Sequence, residues 1–252
     1  MERVCKINCK GHCGAPENWI NVVANGINRL YYIEKGSGEY FENGAKHKFL
    51  PGMVYFIPYY AGIPTYSDGK DKIVHSYVNF KSSPPIVSKT VLCLDPESSA
   101  EIKAAVELFR RLCKTHYNYR ECASPITEKE ERELELLGAV AMFIADYAIR
   151  ENPDSIIRDT SIITALDLMH GSMKDKLSIA DIAAKCYMSY DGFIRKFTHY
   201  VGETPYSYLK RIKVSKALEL KASGVSVEEA AVRCGYSDAS ALLHAIASIS
   251  KV

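Results

Sequence analysis

The spacing of apolar residues changes character twice along this chain. Between residues 18 and 80 the apolar positions come in short runs, each closed by a turn signal, so the pattern predicts strands rather than helices. Leu30-Tyr31-Tyr32-Ile33 precedes Gly36-Ser37-Gly38, Tyr40-Phe41 precedes Asn43-Gly44, Phe49-Leu50 precedes Pro51-Gly52, and Met53 to Ile57 precedes Pro58. Asn43-Gly44 is the strongest hairpin signal, because a type I′ turn needs positive φ at both central residues. A later strand over Ile73 to Phe80 places Ile73, His75, Tyr77 and Asn79 on one face. This stretch reads as an all-β barrel or sandwich.

From residue 101 the period lengthens. Ile102, Ala105, Val106, Phe109 and Leu112 predict a helix over 101–113, and Leu134, Leu137, Ala141, Ile144 and Ala148 a second over 128–150. The second carries a narrow, near-heptad apolar seam, which suits either a partner helix of another subunit or packing onto its own barrel. Glu151-Asn152-Pro153-Asp154-Ser155 ends it, since proline stops a helix at the preceding residue, and a domain boundary belongs there. Ile162 to Met169 then opens a helical region.

That region holds the most informative stretch. Ser178, followed three residues on by Asp181, is a weak capping box, and Ile179, Ile182, Ala183 and Cys186 fall on one helical face. Ser189 is a good N-cap for a second helix carrying Phe193, Ile194 and Phe197. Two short helices joined by a few residues form a helix-turn-helix pattern, whose second helix presents its first residues to the major groove. The pattern returns at an offset of 48 residues, Ser226 matching Ser178 and Cys234 matching Cys186, and of 49 past the turn, where Leu242 and Ile246 replace Phe193 and Phe197. A single capped helix pair is common in small helical domains; a duplicated one is hard to obtain by chance.

These residues, with Gly202-Glu203-Thr204-Pro205, Tyr208, Arg211-Ile212, Ala217 and Gly235-Tyr236-Ser237-Asp238, resemble the AraC/XylS family of transcription regulators over Ile162 to Ile246. The N-terminal runs also resemble the cupin-like effector domain of that family, in the right order. The resemblance implies an α+β chain: an N-terminal cupin-like β-barrel with linker helices, and a C-terminal all-α domain with two helix-turn-helix motifs. The expected division is an arm over 1–17, a barrel over 18–95, a helical dimerisation or linker region over 96–152 and a DNA-binding domain over 153–252. Double-stranded DNA, a small-molecule effector such as a sugar or related metabolite, a second copy of the chain and RNA polymerase are the partners implied.

The 252 residues and 47% hydrophobic content fit about two globular domains. Net charge is only +2, so local distribution matters more than the total. Residues 1–152 balance, while Arg195 to Lys221 holds seven basic against two acidic residues, either a phosphate-facing stretch or a solvated helix face. The eight cysteines form no regular framework, and no run is long and apolar enough to span a membrane, so reduced thiols in a cytoplasm are expected. Cys5, Cys9, His12 and Cys13 offer soft ligand types without paired zinc-site spacing; they read as thiols on a flexible arm, with no metal or cofactor expected.

Candidate DNA contacts are Ser189, Tyr190, Asp191, Ile194, Arg195 and Lys196 in the first motif, Lys210 and Arg211 after it, and Ala239, Ser240 and His244 in the second. Lys210, Arg211 and Lys213 either touch phosphate or support the connecting helix. Candidate effector contacts are His75 and Tyr77, with Arg29, Tyr31 and Trp19, each equally readable as core. Two rivals stand beside the regulator. A cupin enzyme needs clustered histidines and a carboxylate, whereas the barrel holds only His47 and His75; an architectural DNA binder would carry a vestigial sensor. The second motif departs from the family at Leu242, His244 and Ile246 and stops at Val252, before the family's further Gly-x-x-Pro segment. It is therefore expected to leave the core beneath Leu242 and Ile246 partly uncovered and to read DNA more weakly.

Overall fold

The computed structural model describes residues 4–14, 20–21, 27–42, 45–58, 65–66, 71–83, 85–118, 126–171, 177–222 and 224–249. Among the described residues its N-terminal half holds ten strands: β1 (Val4–Gly14), β2 (Ile20–Asn21), β3 (Asn28–Lys35), β4 (Gly38–Glu42), β5 (Ala45–Phe49), β6 (Val54–Ile57), β7 (Thr65–Tyr66), β8 (Val74–Ser83), β9 (Leu92–Leu94) and β10 (Tyr117–Asn118). They form two sheets, ordered β10-β1-β8-β3-β6-β9 and β2-β7-β4-β5. All named pairs are antiparallel. The arrangement is an open two-sheet form of the cupin-like barrel rather than a closed one. β4 and β5 pair from Gly38↔Phe49 to Glu42↔Ala45, flanking the expected Asn43-Gly44 turn, which lies outside the described residues.

The expectation of a flexible arm over 1–17 is overturned for its described part. β1 pairs with β8 along ten residues and sits inside the larger sheet. The segment alternates poorly, because a bulge interrupts the register between Ile7 and Cys9, and that is why it does not read as a strand. The same geometry spreads Cys5, Cys9, His12 and Cys13 along one strand. Eight residues of extended chain span roughly 26 Å, so the four cannot converge on one ion.

Strand alternation divides the larger sheet into two faces. Leu30, Val54, Phe56, Val78 and Phe80 pack outward under two helices, α1 (Ala100–Leu112) and α2 (Glu128–Glu151). Tyr31, Ile33, Tyr55, Ile57 and Ile73 pack inward with Tyr40 and Phe49 of the smaller sheet. Ser99 caps α1 by accepting from the Ile102 amide at 3.1 Å, and Thr127 with Glu130 forms a full capping box on α2. Arg110 of α1 fixes the helix to β3 through two bonds to Glu34 at 2.8 and 2.6 Å, while its guanidinium lies 4.5 Å above the Tyr32 ring. Leu137, Ala141, Ile144 and Ala148 of α2 are wholly buried against this sheet, so the near-heptad seam is used within the chain. A different stripe, Leu136 and Phe143, remains exposed at 44% and 42%.

After α2 comes a short 3₁₀ turn at Pro153–Ser155. The chain is then tied to the segment following β8: Lys89 donates to the Ser155 carbonyl at 2.9 Å and Ile157 to the Val87 carbonyl at 3.0 Å. Val87 consequently packs into the core of the C-terminal helices. Those are α3 (Thr160–Gly171), α4 (Ile179–Lys185), α5 (Tyr190–Val201), α6 (Pro205–Ala222), α7 (Val227–Arg233) and α8 (Ala239–Ile249). Among the described residues no helix is long and apolar enough to cross a membrane.

Candidate nucleic-acid interface and effector site

The first helix pair is α4 and α5, and its geometry follows from its caps. Ser178 and Asp181 exchange side-chain and backbone bonds at the start of α4, and the Ser189 hydroxyl accepts from the Gly192 amide at 3.3 Å to open α5. Phe193 and Phe197 point into a core shared with Ile162, Leu166, Met169, Ile182 and Tyr208. Gly202, at φ 85°, ends α5 in the left-handed region, which L side chains enter at a cost. Burying the two phenylalanines turns the opposite face of α5 outward.

That outward face carries Tyr190, Asp191 and Arg195, all exposed, with Ile194 half-buried beside them. Arg195 has no ion pair with any described residue, so its guanidinium is available to a partner. Lys196 is placed differently from the sequence expectation. Its ammonium lies 2.8 Å from Asp159 and 3.0 Å from the Ser161 hydroxyl at the start of α3, which assigns it to joining helices. Ser189 is likewise committed to capping.

The sequence reading missed Tyr187. It lies in the turn of the first motif at φ 58° and is 99% exposed. The matching residue of the second motif is Gly235, also at positive φ (73°), a conformation for which glycine is the ordinary choice. Only the alignment of the two motifs could have drawn attention to it.

Along α6 the basic residues divide by partner. Arg211 donates to Glu203 through Nε at 3.0 Å and Nη2 at 2.6 Å and lies 4.9 Å over the Tyr208 ring, so it supports the helix rather than projecting to phosphate. Tyr208, itself buried, meets His170 Nε2 at 2.8 Å. Lys210 is half-buried at the side of a groove of about 350 Å³ lined by Tyr206, Lys213, Tyr236, Ala241 and His244. Burial lowers the Lys213 pKa from its usual range. Ala245, in the lining of this groove, stands 49 residues after Lys196, and a methyl group cannot make the helix-joining contact that Lys196 makes. Alanine at Lys210 should weaken binding to all DNA and lower the salt slope by about one. Alanine at Arg211 should instead lower the melting temperature while leaving the salt slope unchanged; salt titrations of both variants separate the two roles.

In the second pair, α7 and α8, Ser226 accepts from Glu229 at 3.2 Å and Asp238 accepts from the Ala241 amide at 2.8 Å. Ser240 and His244 are exposed and Ala239 is half-buried. Leu243, 50% exposed, stands 49 residues after Ile194 on the same outer face. The core under this pair is small and rich in alanine: Ala217, Ala230, Ala231, Cys234 and Leu242. Leu242 is nonetheless fully buried, which corrects the expectation of an uncovered core beneath it, whereas Ile246 is half-buried. The short alanines of α6 and α7 let the helices approach closely enough to cover the leucine.

Between the two sheets, His75 and Tyr77 of β8 share the inward face with Tyr31 of β3, as alternation predicts. The His75 ring lies 5.1 Å from that of Tyr31 and 5.5 Å from that of Tyr77. Burial, with a smaller contribution from His12, lowers the His75 pKa to about 4, so the imidazole is neutral at pH 7. At Gly11 the strands approach closely: a Cβ there would lie 3.0 Å from the Tyr77 ring and hydroxyl and would press on that side chain. Arg29, the third candidate on this face, is buried to 6% exposure, and its Nε and Nη1 are sealed from solvent. Trp19 lies outside the described residues. His47, on β5, is exposed and stacks on Tyr40 at 5.2 Å, away from His75 on the other sheet.

Comparison with known proteins places these features. The helix-turn-helix domain family matches residues 182–250, which covers α5 to α8 and most of α4. Among solved structures the chain is similar to ToxT from Vibrio cholerae. A form at 1.65 Å resolution has 12% identity and a TM-score of 0.59, over 98% of this chain and 95% of that one. ToxT with an unsaturated fatty acid bound has 12% identity and a TM-score of 0.61, over 98% and 92%. ToxT bound to (E)-4-(8-methylnaphthalen-1-yl)but-3-enoic acid has 12% identity and a TM-score of 0.56, over 97% and 94%. At this identity the likeness is one of fold, and it extends over both halves of the chain. No curated protein sequence matches.

Proposed function

We infer that this chain, which carries a helix-turn-helix domain of the AraC type at its C-terminus, is a sequence-specific DNA-binding transcription regulator controlled by a small molecule. The observation that carries the reading is the duplicated helix pair. In each pair the apolar side of the second helix is buried, and the side toward its first turns is left exposed without a structural task, as Tyr190, Asp191 and Arg195 are in α5. An α-helix presented in this way fits the major groove. The effector belongs between the two sheets, where an apolar, aromatic interior holds a few inward polar groups: Arg29, Tyr31, His75 and Tyr77.

The non-enzymatic reading is supported by the placement of His47 and His75 on different sheets: only His12 of β1 stands near His75, and no group of three or more metal-ligating side chains gathers among the described residues. The tie between Val87 and Ile157 gives the sensor a physical route to the reading helices, because Val87 follows a sensor strand and packs into their core. Pairing of two copies belongs to the outer stripe of α2. Leu136 and Phe143 are seven residues apart, one heptad, and both stay exposed once the inner seam is buried. RNA polymerase is a further candidate partner of the DNA-bound regulator.

The test is selection of binding sites from random duplex DNA by the purified full-length chain, followed by mobility-shift titration of the selected and a scrambled sequence at fixed salt. A preference of about a thousandfold or more is the expected result for a specific reader. Equal affinity for both sequences, with a steep salt dependence, would leave only an architectural binder.

A further inference from the structure

The two reading helices share an outward feature that neither of their cores explains. On α5, Ile194 stands half-buried beside the exposed Asp191 and Arg195; 49 residues on, Leu243 of α8 stands 50% exposed beside Ser240 and His244. Among the described residues neither belongs to the core of its own motif. The first core takes Phe193 and Phe197 from α5, and the second takes Leu242, with Ile246 packed against it. The neighbouring outward positions do not keep their chemistry from one motif to the next: Tyr190 is matched by Ala239, Asp191 by Ser240 and Arg195 by His244. A single exposed aliphatic side chain is ordinary on a protein surface. A branched aliphatic at the same place on both reading faces, with all three neighbours changed, points to a contact that the two helices have in common. Ile194 comes four residues after Tyr190 and three after Asp191, so it borders both on the helix surface, and Leu243 stands in the same relation to Ala239 and Ser240.

Resting on the DNA-reading assignment above, we propose that Ile194 and Leu243 each recognise a thymine through its C5-methyl group, one thymine in each stretch of major groove that α5 and α8 enter. The other groups that base edges display in that groove are hydrogen-bond donors and acceptors, which an aliphatic side chain cannot satisfy; the thymine methyl is the apolar one. Contact with it removes apolar surface from water on both sides, and a cytosine in the same place offers no methyl to cover. The changed neighbours then set the rest of the site. Arg195 beside Ile194 can pair bidentately with a guanine near the first thymine, while His244 and Ser240 beside Leu243 supply no such fork. The preferred site is therefore two unlike halves that share a thymine.

The experiment replaces each thymine of the selected binding site, one at a time, by deoxyuridine, which keeps every hydrogen-bonding group of the base and removes only the methyl. Affinity of the full-length chain for each duplex is read by mobility shift at fixed salt. One position in each half should respond, with binding weakened about three- to fourfold by loss of one buried methyl. Ile194→Ala should abolish the response in the first half and leave that in the second, and Leu243→Ala should do the converse. Ile194→Val, which keeps a branched aliphatic, should retain the response. Because both side chains stand outside their cores, the two alanine variants should melt close to the parent. A fall of several degrees in either would mark that side chain as a packing residue and overturn its assignment. Indifference to uracil at every thymine, or responses that persist unchanged in both alanine variants, would sink the thymine contact while the preference for the selected site leaves the DNA reader standing. Failure of the parent to select any sequence would remove the reader and this contact with it.

Discussion

Replacing Arg195 by alanine should weaken binding to the selected DNA site by about ten- to a hundredfold, with little change on scrambled DNA. The magnitude follows from base recognition, since a bidentate arginine–guanine pair contributes about 1–3 kcal/mol of discrimination. The structure makes Arg195 the strongest candidate because it is exposed on α5 and has no ion pair among the described residues, while Lys196 beside it is held by Asp159 and Ser161. Lys196→Ala should therefore act mainly on stability. His244 occupies the corresponding position of α8 and offers an imidazole rather than a planar guanidinium fork, so His244→Ala should cost less than Arg195→Ala. Mobility shifts of the three variants at one salt concentration measure all of this. Equal losses for Arg195→Ala and His244→Ala, or an unchanged preference in Arg195→Ala, would remove the base-reading role.

Phe197→Ala should be the most damaging single change in the reading domain, costing about 3–5 kcal/mol of its stability. Phe197 is wholly buried, with its ring 5.5 Å from that of Phe193 and 5.6 Å from that of Tyr208, so the missing side chain leaves a cavity that those two rigid rings cannot fill. Loss of that contact also frees α5 from α6, and DNA binding should fail together with the melting transition of the domain. Native-state amide exchange checks the comparison with the second motif. The core under α8 consists of three alanines, a cysteine and Leu242, so amides of Asp238 to Ser248 should exchange faster than those of Ser189 to Thr198. Equal protection, with Phe197→Ala melting like the parent, would show that the two motifs are held by something other than their own cores.

The C-terminal half was legible in the sequence because its determinants are local. A cap serine, an acidic residue three positions on and apolar residues at helical spacing specify a helix with little help from elsewhere, and doing so twice at nearly constant offset specifies a pair of motifs. Ser178, Ser189 and Ser226 all cap as that pattern implies. The exposed Tyr190, Asp191 and Arg195 follow directly, since burying Phe193 and Phe197 fixes which side faces out. Likewise, period-two alternation in β8 was enough to bring His75 and Tyr77 to the face they share with Tyr31.

Tertiary structure decided what depends on partners distant in sequence. β1 escaped detection because its bulged alternation acquires meaning only beside β8, some seventy residues later. Lys196 and Arg211 have the composition of DNA contacts, and only the nearness of Asp159 and Glu203 converts them into supports. The seam of α2 was compatible with two partners, and the sheet beneath α1 and α2 took it, leaving Leu136 and Phe143 as the outer stripe. Arg29 shows the difference most directly: sequence could place it on the inward face, but whether a buried charge is answered depends on every group around it. Among the described residues no hydrogen-bond acceptor meets its Nε and Nη1.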